Sequence, residues 1–143
     1  MDSAGAGASR HRRHLAASAA VANGTPDRQA STTPAWLLSE GRVLCSLEVA
    51  STRAARRHGL LGRDGMGGAL LIDRCRWVHT VGMRFALDVA FLDRDGNVLK
   101  TVRMVPQRVG LPMVRARSVV EAEAGAFARW GLHVGDHLEV RHS

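Results

Sequence analysis

The segment FALDVAFLDRDGNVLKTVRMV, residues 85–105, is the clearest structural signal in the chain, because it reads as two strands joined by a tight turn. Large apolar side chains alternate along residues 85–93, which is typical of a strand with one buried face. The Asp95-Gly96 pair favours a two-residue type I′ turn, since its residues tolerate a positive φ. In that register Asp88 lies directly opposite Arg103, on the partner strand over residues 98–105.

The rest of the chain adds more short strands and little helix. Short strands and glycine-rich turns indicate a β-dominated α+β domain, either a small barrel or a rolled, mostly antiparallel sheet with one or two short helices, because closure removes exposed edges. Further strands are predicted over residues 41–50, 69–73, 118–125 and 137–140, a short helix over residues 52–58, and one helical turn over residues 125–131.

Composition divides the chain into a tail and one domain. Residues 1–34 contain almost no large apolar side chains, so we expect them to be disordered and residues 35–143 to form a single compact domain. No apolar run approaches the roughly 20 residues of a membrane helix. The apolar part of the N-terminal segment is too weakly hydrophobic for a good signal peptide. Two cysteines, expected to stay reduced, favour a cytoplasmic protein.

The net charge is +7, and 19 of the 20 basic residues are arginine. Such a charge attracts polyanions, so we expect weak, non-specific nucleic-acid binding at most. The six aromatic residues are scattered, and those on strands fit a core better than a base-stacking platform.

Several motifs together resemble the prokaryotic family catalogued as domain of unknown function 192. They are GLLGR (59–63), residues 68–99, the Pro-x-Arg of residues 106–108, SVVEAEAG (118–125) and GLHVGDHLEV (131–140). The chain departs from the family pattern at Leu61, His79 and residues 120–122, where the family often has Met, Asn and Leu-Glu-Leu. The resemblance implies a compact β-rich domain with one or two helices, and it implies no activity.

The segment RCRWVHTVGMR, residues 74–84, mixes residue types that a core does not need. We expect it to present His79, Thr80 and Arg84 beside Asp88. His79 is either a hydrogen-bonded structural residue or an acid–base group. Asp88 is either one partner of a cross-strand ion pair on a solvated face, or a carboxylate held by Arg103 at the mouth of a pocket.

Metal and cofactor sites are not expected. Cys45, Cys75 and His79 have no recognised zinc spacing. The glycine-rich residues 62–68 lack the Lys-Ser/Thr of a phosphate-binding loop. Five arginines could instead line one pocket for an anionic ligand, or could be separate solvated side chains: Arg63, Arg84, Arg108, Arg115 and Arg117.

The sequence therefore favours a non-enzymatic binding or adaptor domain for a small anionic ligand or a protein partner. One alternative is a hydrolase-like or transferase-like enzyme using His79 and Asp88, and another is non-specific polyanion binding through the arginine-rich surface. The candidate binding residues are Arg63, His79, Thr80, Arg84, Asp88, Arg103 and Arg108.

Overall fold

The computed structural model describes residues 32–50, 52, 55 and 59–143. In these ranges the chain forms one sheet and one short helix, as the fold class predicted from the sequence requires. The strands are β1 (Thr33–Ser39), β2 (Arg42–Ala50), β3 (Ala69–Asp73), β4 (Leu87–Leu92), β5 (Val98–Met104), β6 (Ser118–Glu123) and β7 (Leu138–His142), and the helix α1 is Ala126–Trp130.

The sheet has the strand order β5-β4-β6-β3-β2-β1-β7. Only the β2–β3 pairing is parallel among the described strands, and the other neighbours are antiparallel. The two edges approach each other at one corner, where Val98 exchanges backbone hydrogen bonds of 2.8 and 2.9 Å with Asp136 and Gly135. No ladder joins β5 to β7 along their described lengths, so the sheet is rolled and is not a closed barrel.

The first strand was not predicted. β1 begins at Thr33, two residues before the predicted start of the domain, and it contains Pro34. Proline lacks a backbone N–H, so it is tolerated only where no partner strand needs one. Pro34 lies where β1 is still an edge strand, because it pairs with Glu48 of β2 and β7 begins to pair only at Ala35.

The turn between β4 and β5 differs from its prediction, yet the predicted register is confirmed. Asp93 and Asn97 flank a three-residue loop closed by the Asp93 N–H to Asn97 carbonyl bond of 3.0 Å, and Gly96 has a φ of 89°. The extra loop residue alone would shift the β4–β5 register by one residue. Leu92 pairs with Val98, but Phe91 pairs with Lys100, so a bulge restores the predicted register over the rest of the two strands. The type I′ geometry occurs instead at Glu40-Gly41, where both φ values are positive.

Each face of the sheet carries its own hydrophobic cluster. Val89 and Val119 belong to the cluster on one face, and Ala90 and Val120 to the cluster on the other face, where α1 packs. This alternation follows from the period of two along a strand. The face bearing Val89 is called face A below, and the face bearing Ala90 is called face B.

Two sequence predictions lie wholly or largely outside the described residues. The predicted tail is described only from residue 32. Most of the predicted helix over residues 52–58 is likewise outside the description, although the Ala55 N–H donates to the Thr52 hydroxyl at 3.0 Å and the Gly59 N–H donates to the Ala55 carbonyl at 3.0 Å. In the described ranges, no helix has the length and apolar character required to cross a bilayer.

We expect Gly96→Ala to destabilise the protein more than Gly41→Ala. Both glycines have positive φ, which costs other residues about 1–2 kcal/mol. A Cβ on Gly96 would also lie 2.5 Å from the Leu138 carbonyl oxygen, whereas one on Gly41 would meet nothing within 4 Å. Denaturant unfolding should therefore show at least about 1 kcal/mol of additional loss for Gly96→Ala. Equal losses would mean that the corner between the turn and β7 is not closely packed.

We also expect Asp93 to contribute to stability in a pH-dependent way. The backbone N–H of Asn97 is the main group that lowers the pKa of Asp93 below its ordinary value. A lowered pKa in the folded state means that the contribution is present above roughly pH 4 and is lost as the pH falls through the lowered pKa. In the Asp93→Asn variant, the free energy of unfolding should therefore fall less steeply as the pH is lowered into the acid range. Asp95→Asn, in the same turn, is the control and should change this pH dependence less. The prediction fails if the two variants have the same pH dependence in the acid range.

Candidate functional site

Asp88 is a buried helix cap. Its side chain is 7% exposed, and Oδ1 accepts a hydrogen bond from Arg103 Nε at 3.1 Å. Oδ2 accepts the backbone N–H groups of Gly125 at 2.9 Å and Phe127 at 3.2 Å, at the N-terminus of α1. Gly125 has no side chain with which to cap the helix itself, so the carboxylate of a neighbouring strand satisfies these donors. The predicted pairing with Arg103 is confirmed, and the burial of the carboxylate rules out a solvated face; the oxygen that does not contact Arg103 caps α1.

Thr80 holds two loops together. These loops, residues 75–86 and 105–116, are called the loop layer here. Thr80 is fully buried, and its hydroxyl donates to the Val105 carbonyl at 2.6 Å and accepts the Arg108 N–H at 3.0 Å. Its backbone N–H donates to the Arg108 carbonyl at 2.7 Å, and its carbonyl accepts the Gln107 N–H at 2.9 Å. All the hydrogen-bonding groups of Thr80 therefore serve the structure of the loop layer.

His79 and Asp88 lie on different sides of the sheet. Val78, which precedes His79 in the chain, and Met83 of the same loop pack in the face A cluster, whereas the Asp88 carboxylate contacts α1 on face B. His79 forms a bridge with Val109, and its ring centroid lies 5.1 Å from that of Trp77. The Asp88 carboxylate accepts its hydrogen bonds from Arg103, Gly125 and Phe127 and not from His79, so the pair on which the enzyme alternative depends does not form.

The five predicted arginines do not all lie at one site, although Arg84, Arg108 and Arg115 belong to the loop layer. Arg63 pairs with Glu48 at 2.7 Å, and Arg84 pairs with Asp64 at 3.0 Å on a strongly exposed surface. Arg108 is exposed and donates to the Gln107 carbonyl at 3.3 Å. Exposed pairs of this kind contribute about 0–1 kcal/mol each. Such a scatter agrees with the alternative of separate solvated side chains.

The cysteines are not activated. Burial raises the pKa of the Cys45 thiol to about 11, so it is protonated near neutral pH. Cys75 is buried, and its Sγ donates to the Trp77 carbonyl at 3.2 Å. Cys45, Cys75 and His79 form no ligand set, and no group of three or more potential metal ligands occurs among the described residues.

The loop layer presents an apolar surface that sequence reasoning missed. Its exposed aliphatic side chains are Val81, Val105, Val109, Leu111 and Val114, which are 46–80% exposed. The missed signal was the occurrence of Val109, Leu111 and Val114 in a segment containing two prolines, because apolar residues in an irregular loop have no strand or helix face to bury them. The loop layer also contains Arg76, Arg84, Arg108 and Arg115, and it contains no Asp or Glu.

A separate cleft lies at one end of the sheet. Its volume is about 400 Å³, and charged residues at its rim include Asp73, Arg94 and Arg117. Of the five arginines predicted to share a pocket, only Arg117 lines this cleft. Asp73 and Arg94 were not predicted as site residues, because the strand ends that carry them are far apart in the chain and meet only in the folded sheet.

Asp88→Ala should destabilise the domain by about 2–3 kcal/mol, because two buried backbone N–H groups lose their acceptor. Asp88→Asn should cost less, since an amide oxygen can still accept these bonds. Arg103→Ala is the matched control and should cost less than about 1 kcal/mol, as its side chain is 59% exposed. Denaturant unfolding of the three variants measures this. A larger loss for Arg103→Ala than for Asp88→Ala would contradict the capping role.

Comparison with known proteins gives a family and a fold. Residues 36–140 match the family DUF192, described as "Uncharacterized ACR, COG1430". The UPF0127 protein PF1050 of Pyrococcus furiosus is 36% identical over 62 residues, which cover 43% of this chain and 53% of that protein. The matched part of this chain thus spans about half the length of that relative.

Two crystal structures share the fold at 24% identity. A "putative transcription regulator (R01717)" from Sinorhizobium meliloti 1021 has a TM-score of 0.66 over 78% of this chain and 95% of that one. A protein of unknown function from Novosphingobium aromaticivorans DSM 12444 has a TM-score of 0.65 over 90% of this chain and 99% of that one. Since the family match extends from within β1 into β7, the chain belongs to the DUF192 family.

Proposed function

We propose that this domain is a non-enzymatic binding module that docks an acidic, leucine-bearing segment of a protein partner on its loop layer. The observation that carries the proposal is the presence, on two joined loops, of five exposed aliphatic side chains and three exposed arginines, Arg76, Arg108 and Arg115, that form no ion pair within the described ranges. Apolar patches rimmed by polar residues are typical of interaction sites. We place the domain in the cytoplasm, where the free thiols of Cys45 and Cys75 would stay reduced.

The apolar side chains of the loop layer are held by a rigid scaffold. The Gly110 N–H donates to the Val78 carbonyl at 3.0 Å, and Trp77 Nε1 donates to the Gly110 carbonyl at 2.7 Å. The Met113 N–H donates to the Arg76 carbonyl at 2.8 Å. A Cβ on Gly110 would lie 2.8 Å from the Val78 carbonyl oxygen, so the close approach of the loops requires glycine. Loops fixed in this way lose little conformational entropy when a partner binds.

Charge selects the partner. Arg76, Arg108 and Arg115 are exposed, and none of them takes part in an ion pair within the described ranges. Arginine guanidinium groups bind carboxylates through two parallel hydrogen bonds. An acidic segment would satisfy these groups, and its leucines would cover Leu111 and Val114. Separation of His79 from Asp88, together with the protonated Cys45 thiol, supports a binding role over a catalytic one.

The test uses fluorescence anisotropy with a labelled peptide of Asp-Leu-Glu-Leu repeats. The double variants Leu111→Ser/Val114→Ser and Arg108→Gln/Arg115→Gln should each weaken binding by at least about tenfold, which corresponds to about 1.4 kcal/mol. The matched control Val134→Ser/Arg141→Gln changes exposed residues of the same types elsewhere and should leave affinity unchanged.

Three further ligands separate the alternatives. Peptides of Asn-Leu-Gln-Leu repeats lack the charge, and peptides of Asp-Ser-Glu-Ser repeats lack the leucines, so both should bind more weakly. Duplex DNA tests polyanion binding, whose affinity falls steeply with salt. The proposal is overturned if DNA and the leucine-free peptide bind as well as the first peptide, or if the control variant weakens binding as much as the loop-layer variants.

A further inference from the structure

The cleft at the end of the sheet opens into face B of the roll and not into the loop layer. It lies where β3 ends, β4 turns toward β5 and β6 begins, beside β7. A volume of about 400 Å³ falls within the range of small-molecule sites. Among its aliphatic lining residues, Leu71 and Val140 keep exposed surface, whereas Leu37, Leu92 and Leu138 are buried in the core beneath them.

Hydrogen bonds within the turn occupy the Asp93 carboxylate at the rim. Oδ1 accepts the backbone N–H groups of Asp95 and Asn97, each at 2.9 Å, and Oδ2 accepts Asn97 Nδ2 at 3.2 Å. These donors, led by the Asn97 backbone, lower the pKa of Asp93. A carboxylate satisfied in this way has little capacity left for a cationic ligand.

Cations already surround the Asp73 carboxylate. It accepts the Arg74 backbone N–H at 3.0 Å, and its oxygens lie 3.5 Å from Arg74 Nε and 3.8 Å from Arg117 Nε. Arg74 Nη1 is buried and has no hydrogen-bond partner. Positive charge therefore exceeds negative charge around Asp73.

Two guanidinium groups at the rim remain available to a ligand. Arg94 is exposed and forms no ion pair within the described ranges, and Arg117 is 42% exposed with only its long contact to Asp73. Beside them lies the exposed surface of Leu71 and Val140. A ligand that uses both features needs an anionic head and an apolar body.

We propose that this cleft binds a small carboxylate carrying an aliphatic chain, with Arg94 and Arg117 holding the carboxylate and with Leu71 and Val140 in contact with the chain. This site is independent of the peptide-docking surface, because none of its lining residues belongs to the loop layer. Arginine is suited to the head group, since its planar fork matches the geometry of a carboxylate. Contact between the chain and the exposed surface of Leu71 and Val140 removes apolar surface from water.

The experiment is a titration of the ¹⁵N-labelled protein with octanoate, followed by amide chemical shifts. Octanoate should shift the amide signals of Gly96, Ser118 and Leu138 in a saturable manner. Octanol, which has the same chain without the charge, should bind at least about tenfold more weakly. Arg94→Gln and Arg117→Gln should each weaken octanoate binding, whereas Arg108→Gln in the loop layer is the matched control and should not.

The amide spectrum of each variant also shows whether it is folded, so lost binding is distinguished from lost structure. Saturable shifts at the cleft that require the two rim arginines support the proposal. It is overturned if octanoate produces no saturable shift, if octanol binds equally well, or if Arg108→Gln weakens binding as much as Arg117→Gln.

Discussion

The Asp88 carboxylate joins the parts of the fold that would otherwise be separate. It lies on β4, pairs with Arg103 of β5, and accepts two backbone N–H groups at the start of α1. Because a buried carboxylate without partners is strongly unfavourable, these bonds fix the position of α1 over face B. With α1 in place, the helix covers Ala90 and Val120, and the sheet can carry a hydrophobic cluster on each side.

Two hydrophobic clusters divide the molecule into surfaces with different chemistry. The loop layer covers face A and carries arginines beside exposed aliphatic side chains, which suits an extended acidic partner. The cleft opens into face B and combines aliphatic surface with two guanidinium groups, which suits a small amphipathic anion. The cleft is lined by two carboxylates and two guanidinium groups, and hydrogen bonds to Asp73 and Asp93 leave Arg94 and Arg117 as its available charged groups.

Burial of the apolar face of β4 sets the β4–β5 register more firmly than the turn between the two strands does. The Asp88–Arg103 pairing was correct although the loop has three residues, because the apolar face of β4 has to be buried and the bulge after Phe91 restores the alignment. The bulge also moves Val98 to face B while Val102 stays on face A, which strict alternation does not predict. Thr80 was predicted as a candidate binding residue, and its hydrogen bonds to the loop of residues 105–108 show that it holds the loops together.

The sequence by itself determined the fold class, six of the seven strands in the described ranges, the helical turn at α1 and the family, because alternation of apolar residues and glycine positions are local properties of the chain. Only the tertiary structure decided which charged groups are available. Asp88 caps a helix that lies 37 residues further along the chain, and Arg94 and Arg117 meet only because β4 pairs with β6. Such long-range contacts depend on how strands are ordered in a sheet, and strand order leaves no local pattern in the sequence.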